Sequence, residues 1–429
     1  MISDHVTPYD RFALTDLEIE ALLVTGGHRH ELIDYFGANE YRELARLARQ
    51  AARKAVADES LRVILVPGIM GSQLGLVRSP PVPNDILWVD PIDISVGRLA
   101  SLRLPAAAPI VPLGVVLYSY LKLKLHLRAA GFAVSFHDYD WRLGVDELGH
   151  SFAQRLRNEP AQRLAIVAHS MGGLVSRAAA ALPGAERVER ILLLGSPNDG
   201  SFATVQALRG TYSVVRKLAR IIADSSAESL AAEVFNTFPS LHHMLPGGRC
   251  SQGVDLFDSQ EWPRSGPQPE PTLLAQARTV QTTLAQPDKR FAAIVGIGQE
   301  TVTAVRRRAN DFTYTITRHG DGTVPASSAA LPGAPTYYAA VAHSDLTRDK
   351  LVAAAVIDLL RRGSTRRLPT QWKSNSRAQA QISDRQLRRT HTQKVDWAAL
   401  QPAERRIFLQ DLNEPPKLKL RVPAKARRR

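Results

Sequence analysis

The most regular feature of the chain is a series of short apolar runs, each stopped by turn residues. They are RVILVPG (62–68), FAVSFHDYD (132–140), RLAIVAHS (163–170), RILLLGSP (190–197), FAAIVGIG (291–298) and TYYAAVAHS (336–344). Each is too short for a buried helix and too evenly apolar for a half-exposed strand, which predicts a parallel sheet covered on both faces. Helical periodicity fills 114–130, 146–157, 172–182 and 347–362, so strand and helix alternate as in an α/β domain. The segment YLKLKLHLR (120–128) alternates with period two like a strand, but its length and the following Gly131 predict a helix.

Outside this alternation lie three other regimes. Residues 14–57 carry apolar positions at helical spacing (Tyr41, Leu44, Leu47, Ala51), so 1–60 read as a helical extension that packs on something else. The core covers 61–200 and 291–363. Between them, 201–290 break the pattern, and an insertion of that size in a sheet domain predicts a cap or lid. Within it Leu208, Tyr212, Val215, Leu218 and Ile222 fall at steps of three and four. These predict one amphipathic helix with Arg209, Arg216, Lys217 and Arg220 on a basic flank, which either opens to an interface with Arg216 and Lys217 on anionic headgroups or stays packed in the core as a cap helix. Residues 364–429 are polar and basic and predict a largely disordered tail with one short helix at Ala398–Leu412.

Composition changes the picture in two places. The net charge of +14 is concentrated at the end of the chain: from Gly363 on there are 17 Lys and Arg against 5 Asp and Glu, leaving 38 against 36 before it. The body is nearly neutral. The tail offers peripheral contact with an anionic membrane, whereas its widely spaced Trp372, Trp397 and Phe408 argue against nucleic acid. Cys250 is the only cysteine, which excludes an intrachain disulfide and a multi-thiolate metal site. No run reaches the ~20 apolar residues of a membrane span, and the first residues do not read as a secretory signal. A cytoplasmic protein without metal or cofactor is the expectation.

The chemistry centres on Ala168-His169-Ser170-Met171-Gly172-Gly173, between the run RLAIVA and the helical GLVSRAAAAL. A serine on a tight strand-to-helix turn projects its hydroxyl away from the sheet, and the helix N-terminus favours negative charge beside it. Such a serine needs a base and an acid, in the order Ser, Asp, His. HGDGTVP (319–325) supplies Asp321 and AVAHSD (340–345) supplies His343, with His319 and Asp345 as second choices. The oxyanion donors are assigned to the backbone amides of Met171 and of Ile69, in VILVPGIMGSQL (63–74), with Met70 as the alternative to Ile69.

At this level the chain resembles the lecithin:cholesterol acyltransferase family of α/β-hydrolases, which includes lysosomal phospholipase A2 and phospholipid:diacylglycerol acyltransferases. The segments that carry the resemblance are VPGIMGSQL (66–74), ILWVDP (86–91), YDWRLG (139–144), AHSMGGLVSR (168–177), PSLHHMLP (239–246) and GDGTVP (320–325), with His343 downstream. It covers about residues 60–362, and it departs from the family where Ala168 replaces a glycine of the serine turn. It implies an α/β-hydrolase fold with Ser170, Asp321 and His343 as catalytic residues. It also implies the Ile69 and Met171 amides as oxyanion donors, and Trp88, Trp141, Leu208 and Tyr212 around a lipid entrance. The implied activity is acyl transfer from phospholipid or acylglycerol esters to water or an alcohol. Two other readings stand beside it: an esterase or thioesterase for small soluble substrates, and a non-catalytic hydrolase-fold protein that binds anionic partners through its tail.

Overall fold

The computed structural model describes residues 6–54, 61–247, 253–373 and 379–412. Cys250 and the closing basic segment from 413 on lie outside them. The strands are β1 (Arg62–Val66), β2 (Ser72–Leu76), β3 (Asp85–Trp88), β4 (Val111–Val115), β5 (Ala133–Phe136) and β6 (Leu164–His169). They continue with β7 (Val188–Leu194), β8 (Phe291–Gly296), β9 (Thr301–Arg308), β10 (Asp311–Thr317), β11 (Thr336–Ala339) and β12 (Ala380–Ser383).

The six apolar runs form one six-stranded sheet in the order β11-β8-β7-β6-β1-β5, every pair parallel. Their uniform apolarity follows from alternation onto two covered faces. Val63, Leu65, Ala165, Val167, Leu192 and Leu194 face the helices Leu117–Ala129 and Lys350–Arg362. Ile64, Val66, Ile166, Ala168, Ile191 and Leu193 face the helices Val145–Asn158 and Met171–Ala180 and the insertion. The inner strands β6 and β8 are accordingly buried at every position, whereas the edge strands β5 and β11 and the start of β7 keep partly exposed ones. Two smaller antiparallel sheets, β3-β2-β4 and β12-β10-β9, flank it.

The segment 120–128 is helical, and its alternation has a structural cause. Leu123 and Leu127 pack on the sheet, whereas Leu121 and Leu125 meet Ile19, Leu23, Leu44 and Leu47 of the N-terminal helices. Residues two apart point to opposite sides of a helix, so one that is covered on both sides reads like a strand. Lys124, 1% exposed, is neutralised by Asp16 and Glu20 of the N-terminal helices.

Two expectations are corrected. The single amphipathic helix over 208–222 is two helices, Phe202–Leu208 and Ser213–Ile221, because Gly210 takes a left-handed φ of 67° between them. The basic flank is not a solvent face either: Arg209, Arg216 and Lys217 are all buried. The two arginines are held partly within the insertion, Arg209 by the carbonyls of Pro263, Ser265 and Pro267, and partly by the segment expected to be disordered. β12 pairs antiparallel with β10, and Asp384 just beyond it bonds Arg209 Nε at 2.9 Å with both side chains fully enclosed. Tyr314 and Thr211 hydroxyls donate to the same carboxylate, at 2.7 and 3.3 Å. Arg216 donates to the carbonyls of Arg388 and, at 2.7 Å, Thr390. Lys394 Nζ donates to the Ala219 carbonyl at 2.8 Å and also to that of Ile222, capping the C-terminal end of the helix Ser213–Ile221. Residues 379–412 therefore form a strap that fastens the cap, and these basic side chains are spent on protein acceptors.

Candidate active site

β6 ends at His169, and the helix Met171–Ala180 begins two residues later, leaving Ser170 alone on the turn with φ 53° and ψ −129°. This backbone is strained for a residue with a Cβ, and its amide is tied to the Leu194 carbonyl at 2.9 Å. The strain lifts Oγ out of the sheet towards His343, whose Nε2 lies 2.9 Å away. His343 opens the turn His343–Thr347 after β11, and its Nδ1 stands 2.7 Å from Asp321 Oδ2.

Asp321 is fully buried. Its other oxygen, Oδ1, accepts from the amides of Thr323 and Val324 at 2.9 and 2.7 Å, and its carbonyl accepts from the His343 amide at 2.9 Å. The carboxylate is thus fixed by the backbone of its own GDGTV loop. Because Asp321 Oδ2 accepts from Nδ1–H, the Nε2 lone pair points at the serine hydroxyl, the tautomer a general base requires. The loop hangs from the hairpin β9–β10 rather than from a strand of the central sheet. The alternatives lie elsewhere: His319 is exposed against Trp372, and Asp345 faces Arg348.

On the other side of Ser170, Gly68 to Gly71 form a tight turn closed by Gly71 N–H to Gly68 O at 3.0 Å, with Met70 at φ 61°. A Cβ on Gly68 would lie 2.8 Å from the Ser170 Cβ, so only glycine lets this loop approach the nucleophile. Among the described residues neither the Ile69 nor the Met171 amide donates to a protein acceptor. Both remain available beside the serine.

The frame behind the loop comes from the YDWRLG and ILWVDP segments. The Tyr139 hydroxyl donates to the Pro67 carbonyl at 2.6 Å, and Trp141 Nε1 to Ser72 O at 3.0 Å. Asp140 and Arg142 form a buried two-point ion pair, and Arg142 also donates to Leu102 O at 2.9 Å. Trp88 Nε1 donates to Met70 O at 2.9 Å, with its ring edge-on to Trp141. Trp88 (4% exposed), Trp141 and Leu208 (both 0%) are therefore not at an entrance. They stand behind the site as packing, which corrects the expectation for all three. Tyr212 does reach the site. It lines a cavity of about 110 Å³ with Ser170, His343, Ile69 and Met70, closed by apolar residues of the insertion including Val214, Val215, Leu241 and Met244. Tyr120 and His169 also line it, and neither is singled out by the sequence. His169 lies inside the serine motif, whereas nothing in YSYLKLKLHL marks Tyr120.

A parallel sheet with the serine on the turn after β6, the histidine after the last sheet strand and the acid between them in sequence defines the α/β-hydrolase fold. Residues 150–236 match the family model described as the PGAP1-like alpha/beta domain. No curated protein matches the chain in sequence. Among solved structures it is similar to a chain of the Tle4–Tli4 complex, at 15% identity and a TM-score of 0.46 over 70% of this chain and 98% of that one. It is also similar to the Bacillus licheniformis lipase BlEst2 in mature form, at 14% identity and 0.37 over 71% and 94%. A third likeness is to phospholipase PlaB from Legionella pneumophila, at 12% identity and 0.28 over 63% and 46%. Among the described residues no group of three or more His, Cys, Asp or Glu side chains is placed to hold a metal ion, and no helix is long and apolar enough to cross a membrane.

Proposed function

We propose that the protein is a serine-dependent acyl-ester hydrolase or acyltransferase that works through an acyl-enzyme on lipid-type esters. The observation that carries this reading is the unbroken relay from Asp321 Oδ2 through His343 to Ser170 Oγ, with contacts of 2.7 and 2.9 Å. His343 takes the serine proton as Oγ attacks the ester carbonyl. The amides of Ile69 and Met171 hold the oxyanion, and Asp321 stabilises the imidazolium. The proton then passes from His343 to the leaving alcohol. Water or a second alcohol, deprotonated by the same nitrogen, resolves the acyl-enzyme. An apolar acyl group is favoured by the cavity wall of Val214, Val215, Leu241 and Met244 beside the serine. The resemblance to the lecithin:cholesterol acyltransferase family brings in the alcohol acceptor.

A fluorophosphonate probe should label the wild-type protein on Ser170, located by mass spectrometry, and should leave Ser170→Ala unlabelled. That variant should lose esterase activity by about 10³-fold or more. Equal labelling of both proteins would reject the assignment. Incubating the wild type with mixed phospholipid and alcohol acceptors and identifying the products then separates hydrolase from transferase.

A further inference from the structure

Three hydrogen bonds outside the relay join the two loops that flank the nucleophile. His169 Nε2 lies 3.0 Å from the carbonyl oxygen of His343. A carbonyl only accepts, so Nε2 carries a proton. His169 Nδ1 lies 3.1 Å from the Tyr120 hydroxyl, and that hydroxyl lies 2.9 Å from the amide of Gly68. The Gly68 amide only donates, so the phenol oxygen accepts there and directs its own proton at Nδ1. The chain Gly68 N–H to Tyr120 O–H to His169 to His343 O thus has one consistent direction, provided that the imidazole is neutral.

Neutrality has a physical basis. His169 is 8% exposed and its ring centroid is 4.7 Å from that of His343. Burial, and secondarily the neighbouring imidazole, push it well below the usual histidine range. The Tyr120 phenol is pushed up by burial and keeps its proton. The ionisable side chains that face His169 are Tyr120 and His343, the latter itself tied to Asp321, and among the described residues no carboxylate is hydrogen-bonded to its ring.

We infer that Tyr120 and His169 are positioning residues which hold the oxyanion loop at Gly68 and the catalytic-histidine loop at residue 343 in fixed register across Ser170. Neither touches the reacting atoms. The bridge matters because the two loops come from distant parts of the chain and flank the serine from opposite sides. A loop free to move by about 1 Å would lose on the order of 100-fold in rate. The inference rests on the proposed reaction for its kinetic consequence, but the hydrogen-bond chain itself is independent of it.

The test uses the full-length protein in two arms. In the first, Tyr120→Phe should lower kcat about 10- to 100-fold with KM within about twofold, and the rate of fluorophosphonate reaction at Ser170 should fall in parallel. His169→Gln, which can still donate to the His343 carbonyl, should retain more activity than His169→Ala. Tyr314→Phe, which removes the buried β10 hydroxyl that donates to Asp384 of the strap, is the control: it should lower Tm and leave kcat unchanged. If Tyr120→Phe lowers Tm as Tyr314→Phe does and leaves kcat intact, the positioning role is overturned. In the second arm, nitrogen NMR of histidine-labelled wild type should show His169 neutral with its proton on Nε2 from neutral pH down to about pH 5. An Nδ1-protonated or doubly protonated ring there would overturn the bridge, even if the variants do not fold. Wild type that leaves the probe unreacted, with His169 as described, would instead reject the proposed reaction and retain the bridge.

Discussion

Single atoms decide the behaviour of the site. The Asp321 carboxylate accepts three hydrogen bonds, two from its own loop and one from the His343 ring, so it fixes which imidazole nitrogen carries the proton. Asp321→Asn would keep the shape but can offer an N–H where Nδ1–H needs an acceptor, turning the tautomer round. On the proposed mechanism, kcat should fall by about 10⁴ with little change in KM. Stopped-flow acylation with a p-nitrophenyl ester measures it, and a loss below tenfold would remove Asp321 from the role. Ser170, Asp321 and His343 are legible because each stands in a short motif with small or turn-forming neighbours. Tyr120 is not, because its value depends on a Gly68 amide 52 positions away. The tryptophans mislead for a related reason. A large aromatic in a motif reads as a docking surface, yet the indole N–H of both Trp88 and Trp141 is bonded to a backbone carbonyl of the 70–72 segment.

Secondary-structure elements divide into those visible in the sequence and those made by distant partners. The six central strands are visible because burial on two faces leaves few polar positions, such as Arg62, Ser135, Glu189 and Arg190. β2 (SQLGL), β3 (DILW) and β4 (VPLGV) are not, being short and interrupted by glycine or proline or carrying too few apolar positions. The cap helices read as one because their apolar spacing continues through Gly210. The strap is hidden because composition cannot show that Arg209 meets an aspartate 175 positions later. That pair makes a sharp prediction. Asp384→Ala leaves a fully buried guanidinium without its counter-charge, and should cost about 3–5 kcal/mol in urea-unfolding stability. Arg209→Met combined with Asp384→Leu should cost less than the single change. A single change worth under ~1 kcal/mol, the usual value of an exposed pair, would mean that the strap does not enclose Arg209.

Across the whole molecule, buried histidines set the response to acid. His137 is stacked on Phe152 at 4.2 Å, and burial, then Arg155, pushes it down to about 3. His242 is pushed down to about 4 by burial, and His169 also falls. For a group whose folded pKa is lowered, the unfolded chain binds the proton first. Stability is therefore fully present above about pH 6.5 and is lost as pH falls towards the folded value. Asp93, pushed up to about 7 by burial, acts in the opposite sense over the same range, so variants must be compared rather than absolute curves. His137→Phe keeps the ring stack without the titration. Between pH 7 and pH 4.5 it should lose roughly 2–3 kcal/mol less unfolding free energy than the wild type. Parallel pH curves for the two proteins would contradict the buried, uncharged state of His137.

The strap also imposes an order on biosynthesis. A nascent chain that has left the ribosome as far as residue 363 already holds every strand of the central sheet, and Ser170, Asp321 and His343 with them. At that moment Arg209 already has the carbonyls of Pro263, Ser265 and Pro267, and Arg216 has Glu228, whereas their further partners at 384, 388 and 390 have yet to be translated. The residues gathered around Ser170 are thus all synthesised before the strap segment that bonds Arg209 and Arg216.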